Sequence, residues 1–366
     1  MNIRRRVYLA RCRILILEVI MKFNVDIKYL LDTFKRLVYT PSPVGYSQKI
    51  KPVVEDIASE LGLSVTYDNR EATYITLEGE DTTKTVLVTS HLDTLGLMVR
   101  KINADGTLMI RKLGGTCLPS IDGETVTVHT RDGREYTGTF MSASHSCHVF
   151  TDAHTVERNE DNTMILLDMP VSSKAEVEAL GIQNGDMVSI DPRCQITENG
   201  YLKSRFIDDK AAVAICFAAI KYLKDNNLKP KYNTVFMLTY YEEIGLGGTY
   251  MPDGIAEAVA IDIGLIGPEL NGNEKSVSIC AKDASNVYDY EMTGRLIEYA
   301  KKADCDYAVD LFFRYGSDAG AAMRSGNNVK IGLFGMAVYG SHCMERTHTD
   351  GLMATANLAL AYILDI

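Results

Sequence analysis

The chain has 366 residues, 46% of them apolar and 23% charged, an ordinary globular composition long enough to bury a large core. A formal net charge of −10, without a long acidic run, argues against nucleic acid as the main partner, because phosphate binding needs clustered Lys and Arg. The eight cysteines (Cys12, Cys117, Cys147, Cys194, Cys216, Cys280, Cys305 and Cys343) form no Cys-x-x-Cys pair, which excludes a zinc ribbon or thioredoxin-type motif and points to a reducing, cytoplasmic compartment.

Residues 1–22 are basic and then apolar. The run ILILEVI is short, contains Glu18 and lacks a small-residue cleavage site, so a signal peptide is disfavoured. Arg11, Arg13 and Glu18 interrupt any membrane span. The segment reads as an N-terminal extension ahead of a start at Met21, and nothing else in the chain could span a membrane.

From Val25 the pattern alternates between helix and strand. VDIKYLLDTFKRLV carries helical spacing, PSPVG breaks it, and IKPVVEDIASELG resumes it until Gly62. KTVLVTS is a buried strand ending at His91. Residues 99–198 change character: NADGT, IDGET, TRDGRE and ENGY set turns between short alternating runs. One short helix, SSKAEVEALG, interrupts them. A small β-rich domain inserted between 23–98 and 199–366 is predicted. After it, DDKAAVAICFAAIKYLK reads as an apolar helix, NTVFMLTY, AVAIDIG and KSVSICA as strands, NVYDYEMTGRLIEYAKKA as a helix, KIGLFGMA as a strand and ATANLALAYIL as a closing helix. The fold class is therefore α/β: a mixed, largely parallel sheet with helices on both faces, interrupted by the β-rich insert.

Ligands of open α/β sheets bind past the carboxyl ends of the strands. His91-Leu92-Asp93, Glu242-Glu243 and Asp262 follow or end strand-like runs, Asp208-Asp209 opens a helix, and His348 lies in the loop after the last strand. Singly, several have a plain structural explanation: His91 and Asp93 as polar side chains turned to solvent, Asp208 as a helix-start acid, His348 as a structural imidazole. Jointly they offer two imidazoles and three carboxylate ligands, with Glu242 spare as a proton acceptor. In an extended segment Asp93 lies on the same side as His91 and can orient its ring. An acid in the apolar run around Asp262 needs a nearby cation to offset its burial. This nitrogen and oxygen set suits zinc or cobalt, with manganese possible, and two divalent ions per subunit would support hydrolysis.

The wording and order of PSPVG, HLDTLGLMV, Gly114-Gly115, EALGIQNGD, FIDDKAAVA, YEEIGLGG, AIDIG, YGSDAG and ERTHTD resemble the tetrahedral, glutamyl and deblocking aminopeptidases, some of which carry endoglucanase labels. The resemblance runs from about Val25 to the C-terminus. It implies that His91, Asp208 and Asp262 hold one metal, that Asp208, Glu243 and His348 hold the other, and that Glu242 is the general base with Asp93 behind it. It further implies a catalytic domain of 23–98 and 199–366, an insert that helps assemble homo-oligomers as large as dodecamers, and peptide substrates cut at the N-terminus. Thr94, Lys210 and Ala212 depart from the family's usual residues, which leaves substrate choice open. They point toward a sub-branch linked to acetylated glutamine dipeptide osmolytes. Competing readings are a two-metal amidohydrolase or deacylase on a small acylated substrate, and a catalytically silent assembly protein. His145, His148 and His154 read as a polar loop, Asp318 as a helix cap or supporting group, and Arg314 and Arg346 as contacts for a substrate carboxylate.

Overall fold

The structure is a computed structural model that describes residues 22–366; apart from Lys22, the N-terminal extension lies outside the described residues. A nine-stranded sheet forms the body. Its spine is four parallel strands in the order Tyr232–Thr239, Asp81–His91, Ile255–Ile261 and Lys330–Val338. Thr73–Leu77 pairs antiparallel on one flank and Val277–Lys282 on the other, so the sheet is mixed and largely parallel. The spine strands are apolar on both faces because both are covered. Val88, Phe236, Leu238 and Val259 join the large core, whereas Leu87, Met237 and Ala258 pack with Ala322 of the helix Asp318–Arg324 opposite.

On the first face, helix Ile207–Asp225 runs between Ile27–Val38 and Thr349–Leu364. It is buried almost all round, and alanines at 211, 212, 214, 218 and 219 let it lie close to its neighbours. The side chain of Asp26 starts Ile27–Val38 by accepting from the Tyr29 amide at 3.0 Å. Leu30, Phe34 and Leu37 then form its inner stripe. The helix expected from Asn286 instead begins at Tyr290, because Asp289 accepts from the Met292 amide at 2.8 Å and fixes the start there.

The chain leaves the sheet after His91 and enters a closed six-stranded barrel, Gly96–Ile102, Leu108–Leu113, Thr163–Leu167, Glu135–Ser142, Thr125–His129 and Met187–Ile190 in spatial order. Leu97, Val99, Ile110, Val126, Phe140, Ile165 and Val188 fill it. The return passes through a three-stranded ribbon in which Tyr201–Ser204 pairs with both Gln195–Ile196 and Glu345–His348. Among the described residues no helix is long and apolar enough to cross a membrane.

Candidate metal centre

The four parallel strands deliver the candidate residues to one edge. His91 ends its strand opposite Thr239. Glu242 and Glu243 follow Tyr232–Thr239 in a single short turn. Asp262 follows Ile255–Ile261, and His342 follows Lys330–Val338. Asp208 and Asp209, joined by a cis peptide, come in at the start of the helix Ile207–Asp225. Ligand atoms of His91, Asp208 and Glu243 lie within 4.8 Å of one another, and so do those of His91, Asp209 and Asp262. Asp208, Glu242, Glu243, Asp262 and His342 share the wall of one cavity of about 510 Å³.

Both imidazoles are oriented in the same way. His91 Nδ1 lies 3.0 Å from the carbonyl oxygen of Asp93, which can only accept, so Nδ1 carries a proton and Nε2 is the nitrogen turned toward Asp208 Oδ1, at 3.0 Å. His342 Nδ1 likewise donates to the Gly115 carbonyl at 3.3 Å. Its Nε2 looks toward Glu243 Oε2 at 3.4 Å and Asp208 Oδ2 at 3.7 Å. A barrel residue thus helps to orient a ring in the catalytic body.

His348, expected as the second imidazole, is placed otherwise. Its strand pairs with Tyr201–Ser204, opposite Tyr201, and the ring lies edge-on to the Tyr201 ring. Nε2 donates to the Asn199 carbonyl at 2.7 Å, and Nδ1 accepts from the Asp350 amide at 3.0 Å as the cap of the last helix. Neither nitrogen is left for a metal, and His342, six residues earlier, stands beside Asp208 and Glu243 instead. The sign that could have found it is YGSH, which follows its strand as Glu242 and Asp262 follow theirs.

Asp93 stands beside His91, its carboxylate Oδ1 3.6 Å from Nδ1, but the carboxylate's hydrogen bonds run elsewhere. Its backbone carbonyl takes the His91 proton, while its two carboxylate oxygens accept from the amides of Glu242 and Glu243, each at 3.1 Å. The carboxylate therefore fixes the turn that carries both glutamates. Glu345 was not anticipated. It is buried, and it accepts from the amides of Asp208 at 3.0 Å and His342 at 3.4 Å, tying two site residues together. Asp318 is buried and accepts from Thr239 Oγ1 at 2.5 Å and the Gly248 amide at 2.7 Å, which braces the far end of the glutamate loop; Ser317, not Asp318, caps the helix there. Arg314 lines the cavity, whereas Arg346 pairs with Glu274 and stacks over Tyr201. His145, His148 and His154 join neither cluster of possible metal ligands; His145 packs edge-on to Phe150.

The electrostatics show what the donor set requires. Burial pushes Glu242, Glu243 and Asp209 well above the usual carboxylate range, with like-charged neighbours adding to it. Asp262 is driven up to about 7 by burial and the nearby Asp208, and Asp93 to about 6 by burial. Burial presses the His91 imidazole down, but Asp208 and the surrounding acids outweigh it and hold the ring well above its ordinary value. Asp209 Oδ1 is buried with no hydrogen-bond partner among the described residues. So many enclosed carboxylates, with an orphaned oxygen among them, lack positive charge. Divalent cations bound by carboxylate and imidazole would supply it, so the residues fit a metal centre.

A largely parallel α/β sheet whose spine strands end in such a cluster, interrupted by a closed barrel, suits a metal-dependent hydrolase. The family Peptidase_M42, described as M42 glutamyl aminopeptidase, matches residues 72–358. The chain is 40% identical over 339 residues to YhfE of Bacillus subtilis (strain 168), covering 92% of this chain and 98% of that protein. Among solved structures, the aminopeptidase APDkam598 from the archaeon Desulfurococcus kamchatkensis has a TM-score of 0.83 at 22% identity, over 93% of this chain and 96% of that one. The Pyrococcus horikoshii TET1 peptidase has a TM-score of 0.81 at 22% identity, over 92% and 100%. The chain belongs to the M42 glutamyl aminopeptidase family.

Proposed function

We propose that the protein removes N-terminal residues from peptides with two divalent cations, zinc or cobalt in the first instance. The observation that carries this reading is the pair of imidazoles whose Nε2 atoms face Asp208 from two sides while Nδ1 is held by a backbone carbonyl. His91, Asp208 and Asp262 would hold one ion, and Asp208, Glu243 and His342 the other, with Asp208 shared. When bound, the ions supply an acidified water and polarise the scissile carbonyl. Glu242 takes a proton from the attacking water and returns it to the departing amine. Asp93 keeps Glu242 and Glu243 in register by gripping both amides.

The cytoplasm is the proposed compartment and peptides are the proposed substrates. The barrel is proposed to take part in homo-oligomer assembly, in line with the TET1 peptidase of similar fold, which can assemble into a tetrahedron or a large octahedral shell. The test is Glu242→Gln assayed on free aminoacyl substrates with zinc, cobalt or manganese. Metal content should match the wild type while kcat falls by roughly 100-fold or more. Turnover retained in Glu242→Gln would overturn the assignment.

A further inference from the structure

The turn that carries His342 rests on the barrel. His342 Nδ1 bonds the Gly115 carbonyl, and a Cβ added at Gly115 would stand 2.5 Å from that nitrogen, so the two chain segments touch without a spacer. Two residues beyond Gly115 is Cys117, and the residue after His342 is Cys343. Both thiols are free and half-buried. Cys117 and Ser120 are the neighbouring side chains whose charge and hydrogen-bonding capacity act on the Cys343 thiol, and the Ser120 hydroxyl donates to the Cys117 carbonyl at 2.7 Å. Cys117 additionally lines a surface pocket with Lys112 and Leu118. Elsewhere Cys216 and Cys280 are buried, and Cys147 is exposed in the loop after the strand Glu135–Ser142.

We propose that Cys117 and Cys343 form a reversible disulfide that ties the barrel to the His342 turn and lowers activity under oxidising conditions. The oxidant is a low-molecular-weight disulfide. The Cys117 thiolate attacks one of its sulfurs, so a mixed disulfide forms and one small thiol leaves. The Cys343 thiolate then attacks the Cys117 sulfur, the bond to the remaining small thiol breaks, and that thiol leaves in turn. Each protein thiol gives up one proton and one electron, and the small disulfide is reduced to two thiols. Bond formation requires the two sulfurs to close to about 2.05 Å in a fixed torsional geometry. Cys343 adjoins His342, so the cross-link constrains the turn that places the ring 3.4 Å from Glu243 Oε2 and 3.7 Å from Asp208 Oδ2. The loss of activity rests on the proposed role of His342; the cross-link itself does not.

The experiment treats the metal-loaded full chain with oxidised glutathione, blocks remaining thiols and maps peptides without reduction. A peptide joining Cys117 to Cys343 is expected, together with a fall in kcat/KM of at least about tenfold. Dithiothreitol should reverse both. Metal analysis of the oxidised form should show less than the full complement. Cys117→Ser and Cys343→Ser should keep basal activity and lose the response. Glutathione on the exposed Cys147 serves as the control for reagent delivery. Modification of Cys147 with no Cys117–Cys343 peptide overturns the proposal. So does an unchanged response in Cys117→Ser, or a cross-link that alters neither turnover nor metal content. A reduced wild-type protein without peptidase activity, yet with the cross-link mapped, would locate the failure in the functional reading instead.

Discussion

Two histidines six residues apart should respond to alanine in opposite ways. His348 caps the last helix through Nδ1 and bonds the Asn199 carbonyl through Nε2 at 2.7 Å, with its side chain 8% exposed. Loss of the cap costs about 0.5–2 kcal/mol. Loss of the second bond costs about 0.5–1.5 kcal/mol, and the vacated space adds to both. His348→Ala should therefore lose roughly 2–4 kcal/mol, a drop in Tm of about 4–8 °C at roughly 2 °C per kcal/mol for a chain this large. Its metal content should stay at the wild-type value. The His342 side chain is 37% exposed and makes one long hydrogen bond to protein, to Gly115 at 3.3 Å. His342→Ala should unfold in chelator within about 1 kcal/mol of the wild type. It should nevertheless lose one metal and fall in kcat/KM by at least about 100-fold, since changes to groups behind a ligand already cost 10–100-fold. Melting in EDTA separates these effects from stabilisation by bound metal. A His348→Ala protein that loses a metal while His342→Ala keeps both would refute the argument.

Asp93→Ala removes the acceptor for the amides of Glu242 and Glu243; kcat should drop by roughly 100-fold with KM little changed, and an unaltered kcat would show that the turn holds its shape unaided. Gly335→Ala would set a Cβ 1.3 Å from the Asp262 carbonyl oxygen. Contact distance lies about 2 Å further out, so Asp262 must move, and thermal melts should show a loss of about 3 kcal/mol or more with weakened metal retention. In the barrel, burial holds the His129 imidazole below its ordinary 6.5 against the pull of Glu135. The unfolded chain then binds the extra proton, so this contribution is complete above about pH 6.5 and is lost as pH falls below it. His129→Asn should flatten the fall in Tm between pH 7 and 5 measured in EDTA; an unchanged slope would contradict the burial argument.

Strand periodicity was readable because the spine strands are apolar on both faces; NADGT and TRDGRE marked the barrel because they close two of its hairpins, whereas ENGY closes a hairpin of the ribbon outside it. Val88 and Leu87 read as one buried run even though they serve opposite faces of the sheet. His91, Asp208, Glu242, Glu243 and Asp262 were visible because each lies at the end of a strand or the start of a helix. The family resemblance, carried here by ERTHTD, puts the second imidazole at His348. What decides its place is the pairing of Glu345–His348 with Tyr201–Ser204, a contact over more than a hundred residues that no local pattern encodes. Glu345 was silent for the same reason, since its partners are backbone amides at 208 and 342. Lys210, noted as a departure from the family, is buried and donates to the carbonyls of Leu37 and Thr40. It anchors the end of the first helix and does not face the cavity.

Anomalous diffraction from crystals soaked in zinc probes the metal centre without reference to any assay. Two peaks per chain are expected, one among His91, Asp208 and Asp262 and one among Asp208, Glu243 and His342. A lone peak, or density at His348 with none beside His342, would contradict the account.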